Sequence, residues 1–100
     1  VDKEAAMAER TVIVRSRTGL HARPAAMFVR AATKQPAAVR IRVGDGPAVD
    51  ARSMLSVLSL GAGCGAEVTL QADGDGADEA VDTLAELLSR DLDAEEPAAT

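Results

Sequence analysis

The spacing of apolar residues changes period several times along the chain, and each change marks an element. Thr11-Val12-Ile13-Val14 is a β-branched run with polar flanks and predicts a first strand that ends near Arg15. Over residues 24–34 the period becomes helical, with Ala25, Phe28, Val29 and Ala32 at i, i+3, i+4 and i+7. Val39, Ile41 and Val43 then alternate with Arg40 and Arg42, which predicts a second strand with one apolar face and one face solvated by guanidinium groups. Gly44-Asp45-Gly46 supplies residues that tolerate positive φ in a tight turn, so a short third strand over residues 48–50 should run back beside the second. Residues 53–60 predict a short helix with Ser53 as its N-cap, ended by the glycines at 61, 63 and 65. Residues 67–71 alternate as a fourth strand, and Ala77, Ala80, Val81, Leu84, Leu87 and Leu88 form the buried stripe of a last helix over residues 77–90. The order βαββαβα with one wet sheet face predicts an α+β open-faced two-layer sandwich. In it a four-stranded, mainly antiparallel sheet carries three helices on one face.

The two ends fall outside this pattern. Residues 1–8 are read as an N-terminal extension with Met7 as a candidate natural start, residues 9–90 as the folded domain, and residues 91–100 as an acidic disordered tail. A chain of 100 residues can build one core and not two ordinary domains. Phe28 is the only aromatic residue, so stacking on nucleic-acid bases is not available. The net charge of −5 conceals an asymmetry: residues 1–52 hold ten basic and five acidic side chains, residues 53–100 one and eleven. An anionic ligand would therefore meet the first half, while the overall acidity argues against nucleic acid as a partner. Cys64 is the only cysteine, which rules out an internal disulfide and a cysteine-cluster metal site; it is read as a small, buried or half-buried thiol. No apolar run reaches the ~20 residues of a membrane span, and the first residues lack an apolar signal core. A cytoplasmic protein with no membrane insertion is expected.

Candidate chemistry concentrates in Thr18-Gly19-Leu20-His21-Ala22-Arg23-Pro24. Gly19 breaks the chain after the first strand, and Pro24 falls in the first helical turn, where a missing N–H costs nothing. His21 then stands at or beside the N-cap, and the free amides of Ala22 and Arg23 point toward whatever the imidazole carries. Histidine is a poor ordinary cap. A phosphoryl group on the ring would satisfy both the orphan amides and the Arg23 guanidinium, whose planar fork suits bidentate phosphate contact. A lone surface histidine near a helix start stands as the alternative at this point, because no triad or metal set forms around it in the sequence. Two other segments read as turns. Residues 61–65 imitate a nucleotide-binding loop but follow a helix and precede a strand, the reverse of the required order; Asp73-Gly74-Asp75-Gly76 starts like a calcium loop without the ligands that should follow.

GLHARPAAMFVRAA, followed some thirty residues later by DARSMLSVLSLGAGCGAEVTL, resembles the HPr family, the histidine-containing phosphocarriers of the bacterial phosphoenolpyruvate:sugar phosphotransferase system. The likeness runs from about Glu9 to Arg90. It implies that His21 takes a phosphoryl group on Nδ1 from phosphorylated Enzyme I and hands it to sugar-specific IIA domains, with Arg23 steadying it. Such a protein is a substrate carrier and not an enzyme, works without a cofactor or metal, and is expected to be a monomer. The resemblance also matches Ser53 to a serine that a dedicated kinase modifies in some bacteria, and Met54, Leu55 and Leu58 to an apolar docking patch. The alternative it leaves is a regulatory binding module of the same fold, controlled at Ser53 and answering to a serine kinase or a transcriptional regulator. Thr18 departs from the Asn or Ser that family members often carry there, and Arg52 replaces a common Lys.

Overall fold

The computed structural model describes residues 7–92. Four strands and three helices follow one another as β1 (Met7–Ile13), α1 (Ala22–Thr33), β2 (Val39–Val43), β3 (Val49–Asp50), α2 (Met54–Ser59), β4 (Glu67–Asp73) and α3 (Ala77–Leu88). Every pairing is antiparallel, in the order β1-β4-β2-β3. The hairpin of β2 and β3 follows from local chemistry: Gly44 takes φ +53 and the Gly46 N–H closes the turn onto the Val43 carbonyl at 2.9 Å. The other two pairings join distant segments through β4, with Thr11 opposite Thr69 on one side and Ile41 opposite Leu70 on the other.

Strand alternation sorts the sheet into two faces. Val39, Ile41, Val68, Leu70 and Ala72 point into the core with Phe28, Val57, Val81, Leu84 and Leu88 from the helices. α3 packs along β1 and β4, and α1 packs against both α2 and α3. Alanines at 25, 32, 77 and 80, all buried, let these helices approach closely where aromatic residues would hold them apart. The opposite face is polar. The Thr11 and Thr69 hydroxyls share a 3.1 Å hydrogen bond across the β1–β4 ladder, and the Arg42 guanidinium lies 3.8 Å from Glu9 Oε2.

The structure moves both predicted boundaries outward. β1 takes in Met7 and Ala8, assigned above to the extension, because Ala8 is buried opposite Ala72 in the ladder. At the other end Asp91 and Leu92, assigned to the tail, belong to the fold. Leu92 is fully buried, and its N–H donates to Ser16 Oγ at 2.9 Å. A single apolar residue among acids has no periodicity, so the sequence pattern did not reveal it. The rest of the predicted extension and tail lies outside the described residues.

Candidate functional site

The loop between β1 and α1 is shaped by Gly19 and Leu20. Gly19 has φ +75, and a Cβ there would sit 2.6 Å from Gly63 Cα and closer still to the Ala62 carbonyl. Only glycine fits both the conformation and the space. Leu20 is buried and donates its N–H to the Ala62 carbonyl at 2.8 Å, anchoring the chain one residue before the helix cap.

His21 is the N-cap of α1, in extended conformation (φ −134, ψ 150), and its side chain makes no capping hydrogen bond. The imidazole is exposed, as are Ala22 and Arg23, while Pro24 and Ala25 turn inward. No acidic side chain lies in the first helical turn. Among the described residues no carboxylate pairs with the Arg23 guanidinium. The helix therefore begins with an unclaimed ring, uncapped amides and an available guanidinium on one solvent-facing corner, an arrangement that favours an anion. Ala22 adds a feature that sequence reasoning missed. Its φ of +47 is left-handed backbone in a residue with a Cβ, a conformation that costs about 1–2 kcal/mol. Nothing in an alanine signals it.

The second predicted cluster sits on and before α2, which packs against α1. Ser53 is the N-cap, its Oγ accepting the Ser56 N–H at 3.3 Å. Beside it the Arg52 N–H donates to Asp50 Oδ1 at 2.9 Å. Leu55 is 80% exposed, whereas Met54 and Leu58 are half-buried against the core and Val57 is fully inside. Six residues of helix cannot turn three neighbouring apolar side chains into one small core, and Leu55 is the one left out.

Cys64 is exposed, not buried or half-buried as expected, with its sulfur 4.0 Å from the Arg15 carbonyl oxygen. The inward-facing residue of that loop is Ala62, and Gly61 (φ +64) and Gly65 (φ +93) carry the rest across the surface. Gly76, with φ +83, caps α3 without a side-chain hydrogen bond. Among the described residues no cluster of His, Cys, Asp or Glu is arranged to hold a metal, and no helix is long and apolar enough to cross a membrane.

Comparison with known proteins agrees with this architecture. The family model described as "PTS HPr component phosphorylation site" matches residues 8–90. A phosphocarrier protein HPr from Streptomyces coelicolor is 51% identical over 87% of this chain and 94% of its own length. The crystal structure of an HPr from Bacillus anthracis superposes with a TM-score of 0.79 at 38% identity, covering 83% of this chain and 98% of that one. The solution structure of Crh, the catabolite repression HPr of Bacillus subtilis, gives 0.63 at 39% identity over 84% and 99%. With four antiparallel strands, three helices and relatives alike over nearly their whole length, the chain belongs to the HPr family, phosphoryl carriers of the phosphotransferase system that are not themselves catalysts.

Proposed function

We propose that His21 is the phosphoryl acceptor of this carrier, with Enzyme I as donor and sugar-specific IIA domains as recipients. The observation that carries the reading is the exposed imidazole at an extended N-cap that makes no capping bond of its own. The lone pair of ring Nδ1 attacks phosphorus, a P–N bond forms, and the bond between phosphorus and the donor's phosphorylated group breaks with its electron pair returning to the donor. The N–H of His21 stays on Nε2. The new phosphoryl oxygens accept hydrogen bonds from the Ala22 and Arg23 amides, and the Arg23 guanidinium neutralises charge as it develops. Leu55, with Met54 and Leu58 beside it, supplies an apolar contact on which the partners dock. This reading places the carrier in the cytoplasm as a monomer.

Incubation with phosphoenolpyruvate and catalytic Enzyme I tests it. The intact mass should rise by one phosphoryl group that is acid-labile and base-stable, and the His21→Ala variant should stay unmodified. Full labelling of that variant, or an unchanged wild-type mass beside a competent donor, would refute the assignment.

A further inference from the structure

The segment that enters α1 is held from two sides. On one, the Val14 and Leu20 amides donate to the Ala66 and Ala62 carbonyls at 2.9 and 2.8 Å, fixing the two ends of residues 14–20. On the other, the middle is fastened to the last residue of α3 and the chain just after it. The Arg15 N–H donates to the Leu88 carbonyl at 3.2 Å. The Arg17 N–H and Nε reach the two carboxylate oxygens of Asp91 at 3.3 and 3.2 Å. Ser16, itself buried, accepts the Leu92 N–H on its hydroxyl at 2.9 Å, and its carbonyl accepts the Gly19 N–H at 2.9 Å, closing the turn that leads into His21. One residue thus links the C-terminal segment to the turn before the histidine.

Resting on the proposed role of His21, we infer that Ser16 and Asp91 are positioning residues for phosphoryl transfer: through them the turn after α3 holds the histidine loop in the geometry that transfer requires. A left-handed alanine next to the acceptor persists only where the surroundings over-determine it. A loop tied at its ends alone can relax in the middle, and displacement of an attacking atom by a fraction of an ångström is costly to an in-line transfer. Neither residue lies on α1 or α2, the helices that carry Arg23 and Leu55, so their loss should leave partner docking intact.

Initial rates of phosphorylation by Enzyme I, measured over a range of carrier concentration, separate the two effects. Ser16→Ala and Asp91→Ala should each lower kcat by about tenfold while KM stays within about twofold of wild type. Asp91 is at the surface, so its variant folds even if the buried Ser16 substitution does not, and circular dichroism at the assay temperature confirms folding. Wild-type kcat in folded Asp91→Ala overturns the inference, as does a raised KM at unchanged kcat, which would make the segment a docking element. A wild-type chain that takes no phosphoryl group would instead overturn the role of His21.

Discussion

Ala22 carries a side chain where its backbone favours none, and the cost is measurable. Ala22→Gly removes the clash of Cβ with the following carbonyl, at the expense of a looser unfolded chain. A net gain of about 0.5–1 kcal/mol is expected, read as a rise in Tm of a few degrees for a domain of this size; a lower Tm would mean the left-handed backbone carries no strain. Arg23 poses a different residue-scale question, because its fork can hold two phosphoryl oxygens where lysine offers a point charge. Arg23→Lys should keep its melting curve and transfer roughly tenfold more slowly, a loss of about 1.4 kcal/mol in the transition state. Equal rates would remove Arg23 from the chemistry. These two neighbours also show the limits of reading residues from sequence. The placement of His21 and Arg23 followed from Gly19 and Pro24, whose backbone requirements are written in their chemistry, whereas the left-handed φ of Ala22 leaves no mark on residue type.

At the scale of elements, α2 combines a capping serine with an outward leucine. Ser53→Ala should cost about 1 kcal/mol through loss of the bond to the Ser56 amide. Ser53→Asp keeps an acceptor at the cap and a negative charge at the positive end of the helix, so its Tm should stay near wild type. Slower phosphorylation of Ser53→Asp at low ionic strength, relieved by salt, would show that an anion here repels an acidic partner. Unchanged acceptance would leave Ser53 as a cap and nothing more. Leu55→Ala removes a side chain that the fold hardly uses, so stability should hold while Enzyme I binding, followed by titration calorimetry, weakens by about 1–2 kcal/mol. The elements themselves were legible because each has a local cause: β-branched alternation, a 3.6-residue stripe, a glycine turn. Their ends were not, since Met7 and Ala8 are strand only because β4 extends to meet them, and Leu92 is buried in a segment whose amide bonds to Ser16, far away in the sequence.

For the whole molecule, strand order decides what holds the fold together. The β2–β3 hairpin is encoded by its own turn, but β1 and β4 are separated by two helices and two strands in the sequence, so the sheet closes only when β4 returns to pair with the first strand. That pairing has no sequence signature beyond two apolar faces of similar length. The same closure brings the basic first half against the acidic second: Arg10 Nε lies 2.7 Å from Asp82 and its Nη2 3.6 Å from Asp78, and Arg17 reaches Asp91. These pairs are solvent-exposed, and exposed ion pairs contribute about 0–1 kcal/mol each. The core weighs more. Phe28, the only aromatic side chain, is fully buried among aliphatic residues and alanines that offer little to fill a vacated space. Phe28→Ala should therefore cost about 3–5 kcal/mol, a large share of the roughly 5–15 kcal/mol that a domain holds in total. Arg10→Ala should cost less than about 1 kcal/mol. Urea unfolding of the two variants checks the ranking. If Arg10→Ala proved the more damaging, joining of the chain's two charged halves, and not burial beneath the helices, would be what keeps the sheet closed.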